Sequence, residues 1–550
     1  MTGSEGDEAR PGSARTAANG NERPTAARST PGNPKSGTGR EDGGAAASPQ
    51  NRFGEELRLT WVQPEDLVGH ELRQAGEDGR DASAVQARWL AAGGHLAPER
   101  AGASPGPGDS RLRALADTLL DELAAQDSPL AEQEPTGLAG VHAAAGPPAT
   151  VRPVDRPREL AERLEAGWLG RAVGCVLGKP VEKLPLEGIR AIAASTGNWP
   201  VHGYFTEIGL DPEIAARYPW NRRSRPTSLA ENIDGMPEDD DLNYPLLGLM
   251  LLEAHGHGFT TRDVAALWLD ELPAGRTFTA ERIAYRNLLA GLEPPRTATW
   301  RNPFREWIGA LIRADVFGWT RPADPAAAAD EAWRDAVLSH TANGVYGAMF
   351  AAAAVARAAG GGADVHACLA AGLQVVPRRS RLSAAVRSGI ELARAEPTGT
   401  PEGFASVVDE LHRRYRDHHW VHVLPNAALL AAALTHAEGD FAGSICRVVS
   451  GGWDTDSNGA TAGSLTGLLA GSPAALPGEW TGPLKNRLAS TVGGFDGIGF
   501  DALARRTAAL AVLPPGQDRP TQDPHRQDRP GHDTPTGRTS PLGTPEEGIR

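Results

Sequence analysis

The chain has 550 residues, a formal net charge of −14 and 40% hydrophobic residues. The negative balance, without clusters of lysine and arginine, argues against a nucleic-acid partner, and the apolar runs are too short to span a membrane. Three cysteines without metal-site spacing indicate a reducing compartment rather than a disulfide framework. Because the acidic, polar N-terminus shows no secretory signal, we expect a cytoplasmic protein. The composition leaves its oligomeric state open.

The composition changes several times along the chain. The first fifty residues contain no Val, Ile, Leu, Phe, Trp or Tyr, and the C-terminal residues repeat Gln-Asp-Arg-Pro, so both ends are predicted to be disordered. Between them, apolar residues recur at helical spacing, with a long run at 326–359, and few segments alternate with period two. We therefore predict an all-α protein whose main domain contains roughly a dozen helices and folds on its own. Five segments are predicted: a disordered tail (1–51), a small helical extension (52–128), a linker (129–155), a compact multi-helix domain (156–513) and a second disordered tail (514–550).

Two acidic clusters stand at the starts of predicted helices. The first is Glu238-Asp239-Asp240-Asp241, and the second, Asp454-Thr455-Asp456-Ser457-Asn458, follows two glycines and a tryptophan. A helix N-terminus favours one acidic cap, so the ordinary interpretation is structural. Three consecutive aspartates repel one another, however, and a divalent cation would relieve that repulsion. Hard oxygen ligands of this kind suit magnesium, calcium or manganese.

Three further segments accompany the clusters. Glycines recur four residues apart after the second cluster, at Gly459, Gly463, Gly467 and Gly471, and predict a core helix that another helix approaches closely. The segment Gly174-Cys175-Val176-Leu177-Gly178-Lys179-Pro180-Val181-Glu182 ends a helix and then presents a carboxylate. Residues 198–238, rich in Pro, Asn and Arg, are predicted to form a long insertion over the site.

These pieces, in this order, resemble the ADP-ribosylglycohydrolase family over about 165–470. That family has a glycine-rich segment ending in glutamate near its start, a Thr-Asp-Asp-Thr cluster at a helix N-terminus, and a Gly-Gly-Asp-Thr-Asp-Thr cluster near its end. Gly309-Ala310-Leu311-Ile312-Arg313 and Ser339-His340 look like two of its other segments. The last acidic cluster is the most specific of these motifs.

The resemblance implies an all-α fold with two magnesium ions, or manganese in their place, in a central cleft. It implies that Glu182 lies beside the scissile bond and that His340 contacts the diphosphate or the ribose, and Arg313, in a matching segment, is also predicted to bind substrate. Glu182, Asp240 and Asp454 are the candidates for the general base, and the sequence leaves the choice open. The implied metal ligands are Asp239, Asp240, Asp241, Asp454, Asp456 and Ser457.

Another segment, 300–307, contains two tryptophans, Asn302 and Arg305. Arginine pairs with phosphate and tryptophan stacks on adenine, so Asn302 and Arg305 are predicted to bind substrate. The alternative is that Trp307 belongs to the core and that Arg305 pairs with a carboxylate.

Several positions depart from the family pattern. Asp239 stands in place of a threonine, Cys175 in place of an aspartate and Ser457 in place of a threonine, and Trp453 is inserted before Asp454. The register of the first cluster on the metals therefore stays open, and a divergent branch is indicated.

The sequence leads to one main hypothesis and two alternatives. The main hypothesis is a metal-dependent hydrolase that cleaves the ribosyl C1 bond of an ADP-ribosylated protein or small molecule. The first alternative is a hydrolase of a nucleotide-derived ribosylated metabolite. The second is a non-catalytic module that binds ADP-ribose.

Overall fold

Helices form nearly all the regular structure in this computed structural model, which describes residues 60–96, 110–146 and 157–512. Within those ranges the β structure is limited to three isolated bridges, so the all-α prediction is confirmed. The predicted disordered tails, 1–51 and 514–550, lie outside the described residues. None of the helices in the described ranges has the length and apolarity needed to cross a membrane.

Four helices precede the main helical body. They are α1 (Pro64–Glu77), α2 (Ser83–Ala91), α3 (Ser110–Ala124) and α4 (Leu138–Ala145). Apolar side chains of α3, among them Leu119 and Leu123, are buried as their spacing predicts. Helix α4 lies inside the segment interpreted as a linker. Its alanines favour a helix, but the prolines and glycines on either side of it favour an irregular segment.

Nineteen further α-helices follow in the described ranges. They are α5 (Pro157–Gly178), α6 (Leu186–Ser195), α7 (Pro212–Arg217), α8 (Arg225–Ser228), α9 (Asp240–His255), α10 (Thr261–Glu271), α11 (Thr279–Leu289), α12 (Arg296–Thr299), α13 (Asp315–Trp319), α14 (Pro325–Ala336), α15 (Ala342–Ala359), α16 (Val365–Gln374), α17 (Arg381–Ala395), α18 (Phe404–Arg414), α19 (Val423–His436), α20 (Phe441–Ser450), α21 (Thr455–Ala470), α22 (Gly478–Thr481) and α23 (Phe500–Leu510). Short 3-10 segments lie at Lys179–Val181, Gly256–Gly258, Ala274–Arg276, Ile308–Arg313, Pro473–Ala475 and Gly482–Leu484.

The central feature of the fold is the close antiparallel pairing of α5 with α21. Gly170 faces the backbone of Gly463, and Gly174 faces that of Gly459, so closely that a Cβ atom on any of these glycines would overlap the opposing backbone. The glycine spacing of α21 thus has the consequence predicted from the sequence. Because the pair is antiparallel, the C-terminal end of α5 meets the N-terminal end of α21, where the second acidic cluster begins.

A buried arginine joins this pair to the first acidic cluster. Arg171 of α5 is fully buried, and its guanidinium donates to the backbone oxygen of Asp241 at 2.7 Å and to the carboxylate of Asp315 at 2.7 Å. It also donates to the backbone oxygen of Ile312. Hydrogen bonds to a charged group of this kind contribute roughly 1.5–3 kcal/mol each. Arg171 therefore fixes the start of α9 beside α5.

The N-terminal helices contact the rest of the chain through charged and aromatic side chains. Arg305 donates to Glu71 and Asp78, both at 2.9 Å, and Glu134 pairs with Arg381 at 2.7 Å. All the described residues belong to one compact unit. The boundaries of the helical extension and linker stay a prediction, and these contacts favour a single folding unit.

Candidate metal and catalytic site

The two acidic clusters and Glu182 line one cavity of about 910 Å³. The cavity lies at the junction of the C-terminal end of α5 and the N-terminal ends of α9 and α21. Five of the six predicted metal ligands line its wall: Asp239, Asp240, Asp454, Asp456 and Ser457. The sixth, Asp241, is buried behind them against α5.

The first cluster starts helix α9. Asp239 caps the helix, and its Oδ1 accepts a hydrogen bond from the backbone nitrogen of Asp241 at 2.9 Å. Asp240 turns toward the cavity, where burial and the neighbouring charge of Asp239 raise its pKa well above the ordinary value. Burial and the same neighbouring charge also raise the pKa of Asp241. The Oδ1 atom of Asp241 is buried without a hydrogen-bond partner among the described residues.

The second cluster starts helix α21. Asp454 precedes the helix, and its backbone nitrogen donates to Asn426 Oδ1 at 3.2 Å. Burial and the charge of Asp456 raise the pKa of Asp454 well above its usual range. Burial and the charge of Glu182 raise the pKa of Asp456 to about 7. Carboxylates that are mutually disfavoured in this way are suited to a cation, which stabilises their charged form.

Glu182 follows the 3-10 turn at Lys179–Val181, which continues α5. Its Oε2 accepts a hydrogen bond from Asn221 Nδ2 at 2.9 Å, and its Oε1 pairs with Lys183 Nζ at 2.7 Å. The side chain is 16% exposed, so it is reachable from the cavity. Asn221 belongs to the 198–238 segment, and this contact places that segment over the site.

Two residues of the motif before Glu182 have roles that the sequence did not indicate. Lys179 is buried, and its ammonium forms an ion pair with Asp239 Oδ2. Burial opposes ionisation of Asp239, but the Lys179 charge outweighs it, and the pKa of Asp239 is lowered. Cys175, which was not predicted as a ligand, approaches Asp239 and Asp241 so that one ligand atom from each lies within 4.8 Å of the others.

These observations test whether the residues suit a divalent cation. The carboxylates line one cavity, and Asp241 Oδ1 accepts no hydrogen bond, its one ion-pair partner among the described residues being the Arg171 guanidinium at 3.6 Å, so the oxygen donors fit a hard cation such as magnesium or manganese. A thiol is a softer donor and suits zinc or iron better. The pKa of Cys175 is raised well above its usual range, first by burial and then by the charge of Asp239, so the thiol retains its proton beside the aspartates.

A second part of the cavity wall is basic and aromatic. The exposed side chains of Arg222 and Arg223 lie in the 198–238 segment, and among the described residues neither forms an ion pair. Tyr218 and Trp420 also line the cavity. One cavity therefore combines carboxylates with groups that bind phosphate and planar rings.

The predicted substrate-binding residues lie elsewhere. Asn302 is fully buried and bonds to the backbone oxygen of Ser339 at 2.9 Å, and Arg305 pairs with α1 as described above. Trp307 is buried and stacks on His419, with ring centroids 4.2 Å apart. The structure thus matches the alternative interpretation of 300–307. Its partners come from distant parts of the chain, and the local sequence gives no signal of them.

Arg313 and His340 lie behind the cavity wall. Arg313 donates to Glu281 Oε1 at 2.8 Å and to Ser339 Oγ at 3.0 Å. His340 is fully buried, and its Nδ1 lies 2.9 Å from Ser339 Oγ. Glu281 itself lines the cavity. Direct substrate contact by Arg313 or His340 stays a prediction, and in this structure both lie next to Glu281, with His340 Nε2 3.9 Å from its Oε1.

The fold and the site define an all-α protein with a carboxylate-lined cleft, the architecture that the resemblance implied. The model of the family described as ADP-ribosylglycohydrolase matches residues 156–514. This match spans more than half of the sequence, and the chain belongs to the ADP-ribosylglycohydrolase family. It is accordingly a glycosidic-bond hydrolase, of a family that typically depends on divalent metal ions.

Comparison with solved structures and with curated proteins leaves the substrate open. A solved structure described as an ADP-ribosylglycohydrolase-related protein complex has 20% sequence identity to this chain and a TM-score of 0.39, and the match covers 64% of this chain and 100% of the other. No curated protein matches the sequence.

Proposed function

We propose that this protein hydrolyses the ribosyl C1 glycosidic bond of an ADP-ribosylated protein or small molecule, with divalent cations bound at the acidic clusters. The observation that carries the proposal is the convergence of Glu182 with two clusters more than two hundred residues apart on one cavity. A structural cap needs one carboxylate at each helix start. Here both starts carry several, and all of these carboxylates are at one junction of three helices.

The cation would be held by Asp240, Asp241, Asp454, Asp456 and Ser457. A bound magnesium or manganese ion supplies Lewis acidity toward a water and the ribose hydroxyls. The surrounding carboxylates contribute negative charge, which favours the oxocarbenium character that develops at C1 as the glycosidic bond breaks.

Glu182 is the best-placed general base. Its carboxylate is partly exposed to the cavity and is oriented by Asn221 and Lys183, whereas Asp454 is buried among other carboxylates. A base must reach the proton it removes, so accessibility favours Glu182 over Asp454. Asp240 is also partly exposed, but no side chain among the described residues orients its carboxylate. Asp240 and Asp454 remain the alternatives, and the Glu182→Gln variant described below tests Glu182 against them.

The basic and aromatic part of the cavity wall offers binding groups for the diphosphate and the adenine of the substrate. Arg222 and Arg223 can pair with the diphosphate, because guanidinium groups bind phosphate oxygens in pairs. Tyr218 or Trp420 can stack on the adenine. The cavity volume of about 910 Å³ is within the range of small-ligand sites, so it suits an ADP-ribosyl group with the acceptor outside.

The test compares Asp456→Asn with Asp440→Asn. Asp440 caps α20, where it accepts a hydrogen bond from Gly443 at 2.7 Å, outside the cavity, and asparagine caps a helix equally well. We expect Asp456→Asn to abolish release of ADP-ribose from protein and small-molecule conjugates and to weaken binding of Mn²⁺. Asp440→Asn should behave as wild type.

Two results would contradict the proposal. One is turnover by Asp456→Asn at the wild-type rate in saturating Mg²⁺. The other is undiminished wild-type turnover after removal of divalent ions with a chelator. Comparing protein conjugates with small-molecule conjugates shows which substrate class is preferred.

A further inference from the structure

A buried lysine ammonium pairs with the first acidic cluster. Lys179 is 7% exposed, and its Nζ forms the ion pair with Asp239 Oδ2 and lies 3.4 Å from the backbone oxygen of Glu238. Lys179 lines the same cavity as both clusters, and its charge also acts on Asp456 of the second. One fixed positive charge is therefore already present in the carboxylate-lined cavity.

Asp239 is engaged through both of its oxygens. Oδ1 accepts from the Asp241 backbone, and Oδ2 pairs with Lys179. The family pattern has a neutral threonine at this position, so this chain has a carboxylate here that the pattern lacks, and a buried ammonium neutralises it. Moving Lys179 away would leave the Asp239 charge buried and unpaired, which is strongly destabilising.

The backbone also restricts Lys179. It begins the 3-10 turn that follows α5, it precedes Pro180, and its neighbour Gly178 packs against the backbone of Asp456. The side chain thus starts at the junction of α5 and α21 and reaches across it to the first cluster. The aspartates that do not touch the ammonium, Asp240, Asp241 and Asp454, retain oxygens for a divalent ion.

We propose that the Lys179 ammonium takes the place of one of the two divalent cations implied by the family resemblance, so that this chain binds one. The inference rests on the proposed function, because it presumes a divalent ion at the remaining carboxylates. Lys179 is a positioning residue in this scheme, and Asp239 is its partner rather than a metal ligand.

The experiment measures the number of Mn²⁺ ions bound per chain. Full-length protein is stripped with a chelator and titrated with MnCl₂ by calorimetry, and bound manganese is counted by elemental analysis after dialysis. We expect one ion for the wild type and for Lys179→Arg, and two for Lys179→Met. Lys183→Met, which removes an exposed ammonium four residues further along the same segment, is the matched control and should bind one ion.

A second readout is thermal stability. Without metal, Lys179→Met should melt below the wild type, because Asp239 loses its counter-ion, and saturating Mn²⁺ should raise its melting temperature more than that of the wild type. If Lys179→Met does not fold, the double variant Lys179→Met/Asp239→Thr removes both charges and restores the family's threonine. It should bind two ions.

The outcomes distinguish this inference from the function on which it rests. Two ions bound to the wild type would refute the role of Lys179 and leave the proposed function intact. One ion bound to the wild type and also to the double variant would refute it as well. No manganese bound to the wild type would remove the metal premise of the proposed function itself.

Discussion

Replacing Gly170 with alanine should separate the two central helices. A Cβ atom at this position would lie 2.8 Å from the carbonyl carbon of Gly463 and closer still to its oxygen. Carbon atoms pack favourably at about 3.5 Å or more, so α5 and α21 would have to separate by roughly 0.7 Å or more. Backbone stands on the far side of the contact, and no flexible side chain can turn aside to relieve it.

The magnitude follows from two opposing effects. Overpacking a close-packed interior costs about 1–3 kcal/mol, occasionally more, while alanine is favoured over glycine within a helix by about 1 kcal/mol. Because the contact is between two backbones, we take the upper end and expect a net loss of about 2 kcal/mol or more in the free energy of unfolding. Activity should fall as well, since α5 leads to Glu182 and α21 begins at Asp454.

The assay is thermal unfolding followed by circular dichroism, together with turnover of an ADP-ribosylated substrate. Gly76→Ala is the matched control, because Gly76 lies in α1 and a Cβ atom there meets nothing within 4 Å. It should unfold at or slightly above the wild-type temperature. A Gly170→Ala protein as stable and active as the wild type would refute the idea that glycine contacts set the spacing of this pair.

Three other outcomes are expected. Burial lowers the pKa of His70 to about 3, so its contribution to stability is complete above pH 6.5 and is lost as the pH falls toward 3. Between pH 7 and pH 5 the wild type should therefore lose about 2 kcal/mol of stability relative to His70→Phe, whatever their difference at pH 7, and a stability difference that is the same at both pH values in urea unfolding would contradict this. Glu182→Gln should lower kcat by about 10²–10⁴-fold with little change in substrate affinity, because the amide cannot accept the proton. An unchanged rate and pH profile would mean that Asp240 or Asp454 is the general base instead. A fragment that begins at residue 157 should be less soluble and less stable than one that begins at residue 58, because Arg305 loses Glu71 and Asp78 and Arg381 loses Glu134. A stable, active shorter fragment would support a separable extension.

Local patterns predicted the features that depend on neighbours in sequence. The spacing of leucines predicted α3, and the clustered aspartates predicted the starts of α9 and α21. The long apolar run at 326–359 was expected to be helical, and the structure divides it into α14 and α15. The break lies near Ser339, whose hydroxyl accepts a hydrogen bond from the buried Arg313. A partner 26 residues away cannot be recognised from the pattern of the run itself.

The same limit explains which site residues were missed. Glu182 and the aspartates have a recognisable order along the chain, so they were predicted before their positions were known. Arg171, Lys179 and Asn221 act through contacts with residues 39–144 positions away, and each looks ordinary in its own segment. Arg305 shows another limit of local patterns, since phosphate binding and pairing with a carboxylate use the same side chain. In this structure Arg305 pairs with Glu71 and Asp78, and its predicted contact with substrate stays a prediction.

The glycines of α5 and α21 bring carboxylates together, and the buried side chains of Arg171 and Lys179 hold and partly neutralise them. The close pairing of α5 with α21 brings Glu182, Asp454 and Asp456 together, and the repulsion among them grows as the helices approach. Arg171 anchors the first cluster through its backbone, and Lys179 neutralises Asp239 without using the oxygens of the remaining aspartates. Burial and the neighbouring carboxylates raise the pKa values of Asp240 and Asp454, so the charged forms of both side chains are disfavoured. A bound divalent cation would stabilise those charged forms. The close spacing of α5 and α21 thus sets the repulsion among the carboxylates that a divalent cation would offset. The Lys179 ammonium offsets the part of that repulsion that comes from Asp239.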